Sequence, residues 1–501
     1  MKKIICSLLL VILYTGAALA QTATINFNIK NAGSCNCTLS PQNDLSRYGK
    51  GRIPLPLDKN GQASYGLKIT KPRSFNFYCE RSKSDQWLSY SFFLSPGDQL
   101  TFNADMLARD YQITVTGKGS NNNQSIYSNS SRFDFEKFYG DTVPNRIISA
   151  ILKEEAHHKT ELEKYITRNK PTKEFIAAKK LNLTYWAASA YFSFKENNKF
   201  QIRQPYKRNS DKWQSVQDSL FNAQPFDNPN ALSSRNYTLL IAEFLNRKKE
   251  ALWTEQYENK DAFYKEWYGG DQLKGEEEYM ADKSNALREK IINKYFKGKT
   301  AEHLYAHLIV DAIDNSDPKN LLDIYSRFKD QYPGSEYDAE LKTIVNAVKK
   351  RQEQGLNDRM VFADSTAKQL NAFDDLLKLA KNKTVLVDLW GTWCSPCRQE
   401  IEKNSAELKK HFKGKGLEYF YVANYDASNT KAWKELISYF NLEGTHILAS
   451  QALTKSVMNA VKGKGFPTYF LIKKDGSYEL SKAGYPMERV KLIQQLEEAL
   501  K

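Results

Sequence analysis

Hydrophobic and polar residues follow three different patterns along this 501-residue chain. Between residues 21 and 119 the apolar positions alternate with polar ones over short runs, as in 24–29 and 111–115, and turn-forming residues separate the runs. Alternation with a period of two places every second side chain on one face of a β-strand. We therefore expect a small N-terminal β-rich domain, an antiparallel sandwich or barrel.

The second pattern extends from residue 130 to 355 and has the spacing of amphipathic helices. Apolar residues recur three or four positions apart, which places them on one side of a helix. The predicted helices are residues 146–169, 172–196, 237–257, 282–296, 300–313, 318–331 and 335–354. We expect an α-helical middle domain, joined to the β-rich domain by the polar residues 120–129.

Strands and helices alternate in the third pattern, from residue 360 to 501. The apolar runs 385–390 and 417–424 are typical of buried strands, and a hairpin is predicted at 468–480. Helices are predicted between and after these strands, at 369–381, 396–412, 430–440, 452–461 and 487–501. Such alternation indicates an α/β domain whose central sheet is covered on both faces. The whole chain is predicted to be multidomain, because 501 residues exceed what a single core holds.

The first 20 residues have the features of a secretory signal peptide. Lys2 and Lys3 precede an apolar run over residues 4–14, and Ala18 and Ala20 supply the small residues of a cleavage site. The run is shorter than the roughly 20 residues that span a bilayer, so a membrane anchor is the weaker interpretation. We expect cleavage after Ala20 and export to the periplasm or cell envelope of a Gram-negative bacterium, with no transmembrane anchor afterwards.

The chain carries a formal net charge of +15. Its basic residues are interspersed with glutamates in the predicted helices and form no dense basic block, which argues against nucleic-acid binding. Solvated helix faces explain this pattern best, and attraction to anionic surfaces or acidic client proteins is the alternative.

A Cys-x-x-Cys pair, Cys394 and Cys397, follows the predicted strand 385–390 and opens the next helix. The first cysteine then lies at the positive end of the helix dipole, among backbone N–H groups that favour its thiolate. The second lies one turn further along, within reach of a mixed disulfide formed at the first. Zinc would need a second cysteine pair and haem attachment would need a histidine in place of Arg398, which leaves an inert structural disulfide as the other alternative to a redox dithiol.

The residues around this pair resemble the thioredoxin superfamily. The order V-D-x-W-x-x-W-C-x-P-C over residues 387–397 is specific to it, and G-F-P-T at 465–468 is similar to the family's cis-proline loop. An exported protein with such a domain at its C-terminus resembles the TlpA/ResA-like disulfide reductases. The resemblance covers about residues 360–501 and implies a thioredoxin fold and a thiol–disulfide oxidoreductase that uses no cofactor and no metal.

The resemblance implies a catalytic role for four residues. Cys394 would be the nucleophile, and Cys397 would resolve the mixed disulfide and leave a redox-active Cys394–Cys397 disulfide. Asp388 matches the buried carboxylate that accepts the proton of the second cysteine, and Glu400 matches a glutamate that tunes thiol acidity. Many TlpA/ResA-like members carry asparagine in place of Asp388, and their usual proline in the following helix is replaced here by Glu402.

Three further residues are implied to bind the substrate: Trp393, Phe466 and Pro467. Pro467 would form the cis peptide bond that faces the cysteines, and Phe466 would shape the contact between its loop and an extended substrate segment. Trp393 would shield the dithiol as an apolar lip, or else belong to the core.

Several function classes fit these features. The first is an exported reductase of protein disulfides, favoured over an oxidase because Ser395-Pro396 is similar to the Gly-Pro of reducing thioredoxins. Such a reductase needs disulfide-bonded protein clients and a membrane or soluble electron donor. The second is a cell-envelope client-binding protein whose thioredoxin-like domain is accessory. A thiol peroxidase is a third alternative, although the chain lacks a peroxidase-type Pro-x-x-x-Thr-x-x-Cys stretch.

Cysteines and histidines elsewhere are weaker candidates. Cys35, Cys37 and Cys79 lie in the β-rich domain, where a disulfide from Cys79 to one of the other two, free or intermolecular thiols, and a metal site all stay open. Two histidines and an aspartate recur four residues apart in the predicted helix 300–313. Amphipathic packing explains that spacing better than a metal site does.

Overall fold

The computed structural model describes residues 21–33, 35–42, 52–81, 87–124, 133–363, 370–427 and 429–501. The predicted signal peptide, residues 1–20, lies outside them. The chain forms two compact units, one containing the β-rich region and the helices up to Leu240, the other running from Ile241 to Lys501. In the described ranges no helix is both long and apolar enough to cross a bilayer. The predicted domain limits 21–119, 130–355 and 360–501 stay predictions.

The described residues of the N-terminal unit begin with eight strands in two four-stranded sheets. They are β1 (Gln21–Lys30), β2 (Cys35–Pro41), β3 (Ile53–Pro54), β4 (Gln62–Ile69), β5 (Arg73–Arg81), β6 (Trp87–Leu94), β7 (Gln99–Asp105) and β8 (Thr114–Lys118). The sheet orders are β4-β1-β7-β8 and β3-β2-β5-β6. The two sheets share one core, in which the rings of Phe27 on β1 and Phe77 on β5 stack at 5.0 Å. The architecture is therefore a sandwich.

The alternating pattern led us to expect a purely antiparallel sandwich, and this prediction is wrong for one pair of strands. β1 and β7 pair in parallel, with Phe27 opposite Phe102. After β4, the chain forms β5 and β6 in the second sheet and then crosses back to the first sheet, where β7 pairs with β1. A parallel pair needs such a long crossover, and short-range alternation along the sequence carries no information about it.

A disulfide links two neighbouring strands within one sheet of the sandwich. Cys37 on β2 lies opposite Cys79 on β5 and is bonded to it, whereas Cys35 is a half-buried free thiol. Of the alternatives that the sequence left open, the structure therefore selects a disulfide from Cys79. Both bonded cysteines belong to the hydrophobic core of the sandwich.

The helices of the N-terminal unit follow the sandwich. They are α1 (Pro144–Asn169), α2 (Lys173–Thr184), α3 (Trp186–Ile202), α4 (Gln204–Arg208) and α5 (Ser210–Asn222), and α6 (Arg235–Glu258) spans the division between the units. The single helix predicted at 172–196 is wrong, because Tyr185 interrupts it. The Tyr185 hydroxyl donates to the Pro225 carbonyl, 3.0 Å away, and its ring packs on Tyr237. A tertiary contact thus sets the break.

The second unit starts with a group of helices after α6. They are α7 (Lys260–Trp267), α8 (Gln272–Ala281), α9 (Asn285–Tyr295), α10 (Gly298–Asp314), α11 (Leu321–Gln331) and α12 (Asp338–Gln352). In α10, His303 Nδ1 lies 3.1 Å from the Tyr337 hydroxyl, and Asp311 accepts a hydrogen bond from Arg288. Within the described part of the chain no three His, Cys, Asp or Glu side chains are placed to hold a metal ion.

The α/β part of the second unit has a six-stranded sheet in the order β14-β13-β10-β11-β12-β9. Its elements are β9 (Met360–Phe362), α13 (Phe373–Leu379), β10 (Thr384–Trp390), α14 (Ser395–Phe412), β11 (Leu417–Asn424), α15 (Thr430–Tyr439), β12 (Gly444–Ala449), α16 (Gln451–Ala460), β13 (Thr468–Ile472), β14 (Tyr478–Leu480) and α17 (Arg489–Ala499). β10 runs parallel to β11 and antiparallel to β13. This order and these directions are those of a thioredoxin fold.

Every residue of the central strand β10 is buried. Val385, Val387 and Leu389 belong to a core with α13 and α16, whereas Leu386 belongs to a second core with α14 and α17. Because side chains alternate along a strand, Asp388 points to the same face as Leu386, beneath α14. The strand therefore carries one carboxyl group into an apolar layer under the helix that begins at the dithiol.

Candidate functional site

The turn between β10 and α14 carries the Cys-x-x-Cys pair. Cys394 is the N-cap of α14 and has an extended backbone, and Cys394 and Cys397 form a disulfide with an S–S distance of 2.00 Å. The backbone N–H of Cys397 donates to the sulfur of Cys394 over 3.2 Å. Cys394 is 3% exposed and Cys397 0%, so the leading cysteine is only marginally the more accessible of the two. A thiolate at Cys394 would meet both a donor and the positive helix end.

A small cavity lies between β10 and α14, and neither cysteine lines it. It has a volume of ≈ 20 Å³, enough for one water molecule, and it is lined by Asp388, Glu400, Asn404 and Tyr469 among others. Glu400 accepts hydrogen bonds from Asn404 Nδ2 at 2.7 Å and from the backbone N–H of Met487 at 3.3 Å. The two carboxyl groups therefore line the same small cavity.

Asp388 is less well supported than Glu400. Among the described residues none donates a hydrogen bond to its Oδ1, which is fully buried. Burial first, and the negative charge of Glu400 second, raise the pKa of Asp388 well above its ordinary value. A carboxyl group with a raised pKa is a stronger base once ionised, which suits the removal of a proton from a buried thiol.

Three aromatic side chains surround the mouth of the site. Trp393 is 50% exposed, and its indole N–H donates to the Asn424 carbonyl at 2.8 Å. Its ring meets the half-buried Phe466 edge-on at 5.6 Å, and Tyr425, 58% exposed, lies 6.1 Å from Trp393 and 6.2 Å from Phe466. Trp393 is therefore a surface residue beside the dithiol rather than a core residue.

The loop before β13 brings Pro467 to the same edge of the sheet. The Phe466–Pro467 peptide bond is cis, the state that the resemblance implies for this loop. β13 pairs with β10 so that Thr468 lies opposite Leu389, close to the end of the strand that leads to the cysteines. The contact between Phe466 and Trp393 places this loop next to Cys394.

Some residues of the site have no counterpart among the sequence predictions. Tyr425 completes the aromatic group, Asp426 binds the backbone of Thr392, and Arg398 donates to the Thr392 carbonyl from the other side. The only sequence signal for Tyr425 and Asp426 was their position directly after the predicted strand 417–424, where the chain reaches the same edge of the sheet as the dithiol. The sequence analysis used Arg398 only to exclude haem attachment, and the residues that it contacts could not be inferred from the sequence.

Comparison with known proteins agrees with this geometry. The Redoxin family model matches residues 349–496. The thiol-disulfide oxidoreductase ResA of Bacillus subtilis (strain 168) is 31% identical over 138 residues, which is 27% of this chain and 71% of that protein. A ResA of Bacillus cereus is 37% identical over 101 residues, 20% of this chain and 54% of that protein.

The chain belongs to the ResA-type thiol–disulfide oxidoreductases of the thioredoxin superfamily. Its activity is thiol–disulfide oxidoreduction. Among solved structures, the thioredoxin domain of a thiol-disulfide oxidoreductase from Bacteroides vulgatus is 25% identical, covers 25% of this chain and 84% of its own, and has a TM-score of 0.22. Residues 349–496, which the Redoxin family model matches, contain the whole site described above.

This ResA-type domain departs from the expected pattern in the helix after the dithiol. Glu402, which replaces a proline, lies inside the unbroken helix α14. Its carboxylate binds the guanidinium of Arg351 on α12 in bidentate fashion, with distances of 2.9 and 2.8 Å. Glu402 thus links the helical group, α7 to α12, to the thioredoxin fold within the second unit.

Proposed function

We propose that this ResA-type protein is exported and reduces disulfide bonds of protein clients in the cell envelope through Cys394 and Cys397. The observation that carries the proposal is the N-cap geometry of Cys394, whose sulfur accepts the backbone N–H of Cys397. That donor and the helix dipole stabilise a thiolate, which is the form that attacks a disulfide. The sequence features of residues 1–20 support the export part of the proposal.

Reduction begins from the dithiol form. The Cys394 thiolate attacks one sulfur of the client disulfide, a Cys394–client disulfide forms, and the other client sulfur leaves as a thiolate. Cys397 then loses its proton and attacks the Cys394 sulfur, which releases the second client thiolate. The client gains two electrons and the enzyme retains the Cys394–Cys397 disulfide. A donor of two electrons, membrane-bound or soluble, must reduce the enzyme again.

Asp388 is the proposed acceptor of the Cys397 proton. It lines the water-sized cavity together with Glu400, which leaves room for one water molecule beside the two carboxyl groups. Hydrogen bonds from the Asn404 side chain and the Met487 backbone hold the Glu400 carboxyl group at this cavity. Its negative charge raises the basicity of Asp388, and in this way tunes the second step rather than the first.

The client is proposed to bind along the edge that carries Pro467. An extended client segment can pair with the backbone of the loop at 465–467, as added strands pair with sheet edges. The exposed rings of Trp393 and Tyr425, together with Phe466, which contacts both, offer an apolar surface beside the attacked disulfide. Aromatic side chains at such positions bury a large area at little entropic cost.

An insulin-reduction assay on the full chain tests the proposal. We expect the wild-type protein to accelerate reduction by a dithiol donor, and the Cys394→Ser variant to lose that acceleration. Cys35→Ser is the matched control, because Cys35 is a free thiol in the other unit. Equal activity of Cys394→Ser and wild type would refute the proposal. The Cys397→Ala variant should in addition accumulate a mixed disulfide that identifies the client.

A further inference from the structure

The turn after α10 reaches the first turn of the dithiol helix. Arg398, directly after Cys397, is 4% exposed, and its Nε donates to the carbonyl of Ser316 at 3.0 Å. Its Nη2 lies 3.4 Å from the carboxylate of Asp317, which is 3% exposed. Gln399 next to it donates to the Asn315 side chain at 3.3 Å. Residues from outside the thioredoxin fold thus bind the start of α14.

The same arginine binds the loop that carries the nucleophile. Arg398 Nη1 donates to the carbonyl of Thr392 at 2.5 Å, two residues before Cys394. On the other side of this residue, Asp426 accepts the backbone N–H of Thr392 at 2.8 Å and its hydroxyl at 2.6 Å. Thr392 is therefore held between a guanidinium and a carboxylate, both buried.

The charge of this guanidinium is balanced by the helical group. Asp317 faces Arg398 and lies 3.5 Å from Lys319, and Arg288 on α9 adds a further positive charge. Burial opposes ionisation of Asp317, but Arg398, Lys319 and Arg288 together hold its pKa below the ordinary value. Asp317 is consequently a carboxylate near neutral pH, and it offsets the positive charge of the residue that follows Cys397 and binds the Thr392 carbonyl.

We propose that Asp317 is a positioning residue for the dithiol, which holds Arg398 against the Thr392 carbonyl and limits the positive charge that the sulfur of Cys394 meets. The inference rests on the assignment of Cys394 as the nucleophile. A nearby cation stabilises a thiolate and therefore the reduced form of a dithiol, which makes the disulfide more oxidising. Asp317 would then keep this protein on the reducing side, and the helical group would be part of the redox site.

Two opposite changes in the full chain test this inference. Asp317→Asn keeps the shape but removes the negative charge, so the equilibrium with glutathione should shift toward the reduced protein by about 3- to 10-fold, and alkylation of Cys394 should become half-maximal at lower pH. Arg398→Gln removes the cation and should shift both quantities in the opposite direction. Mere loosening of the loop would move the two variants in the same direction.

Glu402→Gln is the matched control. It breaks another ion pair between the helical group and α14, at a partly exposed position one turn further from the dithiol, and should leave the glutathione equilibrium unchanged. Shifts of the same sign in Asp317→Asn and Arg398→Gln overturn the inference. No shift in Asp317→Asn with a native circular-dichroism spectrum also overturns it. If Arg398→Gln does not fold, the sign of the Asp317→Asn shift decides alone. Loss of insulin reduction in Cys394→Ser is independent of these results, so the two proposals fail separately.

Discussion

At the scale of single residues, the site depends on two buried carboxyl groups with unequal surroundings. Glu400 accepts two hydrogen bonds and keeps its negative charge compensated, whereas Asp388 faces the same cavity with one oxygen that no described residue donates to. Two carboxyl groups that share a small space cannot both be easily ionised. Because burial and the nearby Glu400 raise the pKa of Asp388, we propose Asp388 as the group that gains and loses a proton.

Replacement of Asp388 by asparagine should therefore slow the enzyme and stabilise the fold. We expect roughly 10²-fold slower release of the client from the mixed disulfide, since Cys397 loses its base. The pKa of Asp388 is raised in the folded state, so its contribution to stability is full below the unfolded pKa and is lost as pH rises through the folded pKa. The wild type should lose stability over that range relative to Asp388→Asn.

Stopped-flow measurement of the second step and denaturant unfolding at several pH values check this pair of effects. Glu418→Gln is a suitable control, because Glu418 forms a half-exposed ion pair with Lys383 at the far end of the same sheet. A variant that resolves the mixed disulfide at the wild-type rate, or a stability difference that does not grow with pH, would argue against Asp388 as the base.

The residues of the dithiol and both carboxyl groups could be named from the sequence because they lie close together in the motif. The partners that surround them could not. Asp426 and Tyr425 come from the end of another strand, and Asp317 lies 81 positions before Arg398, so only the folded chain brings them together. Local spacing carries no information about such contacts, and the role of Arg398 could not be inferred for the same reason.

At the scale of elements, the short turn between β10 and α14 decides where the dithiol lies. Gly391 ends the strand, Cys394 caps the helix, and Trp393 between them folds back onto the backbone of Asn424. A Cβ atom on Gly391 would lie 2.4 Å from Trp393 Nε1 and 3.0 Å from the Asn424 carbonyl oxygen. The turn thus needs glycine because the indole passes directly over it.

Gly391→Ala should displace the Trp393 ring and weaken client binding. We expect a loss of roughly 1–3 kcal/mol in the free energy of unfolding, as for other overpacked positions, and a higher KM for insulin. Tryptophan fluorescence, unfolding curves and KM measure the three effects. Gly465→Ala is the control for the unfolding free energy alone, since a Cβ there meets no atom within 4 Å but the residue belongs to the proposed client-binding loop. Unchanged fluorescence and KM in Gly391→Ala would contradict this account of the turn.

Elements themselves were predicted best where one segment decides its own structure. The strand 417–424 agrees with β11 at both ends, and the helix predicted at 396–412 begins one residue later than α14. Errors appear where tertiary contacts intervene. Tyr185 breaks one predicted helix, and residues 111 and 112 belong to a short 3-10 turn instead of a strand. The helix α5 was not predicted, although its apolar residues Trp213, Val216 and Leu220 have helical spacing.

At the scale of the whole molecule, the two compact units carry two disulfides of different kinds. The Cys37–Cys79 disulfide closes a loop with a sequence separation of 42 inside the sandwich core, whereas Cys394 and Cys397 are separated by 3 at a helix end. A disulfide that closes a long loop stabilises mainly by restricting the unfolded chain. We therefore assign a structural role to the first and a redox role to the second.

Removal of the sandwich disulfide should affect stability and leave the reaction intact. The double variant Cys37→Ser/Cys79→Ser should lose roughly 2–4 kcal/mol of unfolding free energy in the N-terminal unit, visible as a transition at lower temperature in calorimetry. Insulin reduction should stay within about twofold of wild type below that transition, because the dithiol belongs to the other unit. Loss of most of the activity in the folded variant would show that the two disulfides are linked.

The acidity of the Cys394 thiol is the property on which the whole redox mechanism depends. In the Cys397→Ala variant the rate of alkylation of Cys394 can be followed against pH, with the other thiol silenced by Cys35→Ser. A thiolate stabilised at a helix N-terminus should give a midpoint at or below about pH 7.5. A midpoint near about pH 8.5, that of an ordinary cysteine, would contradict the account.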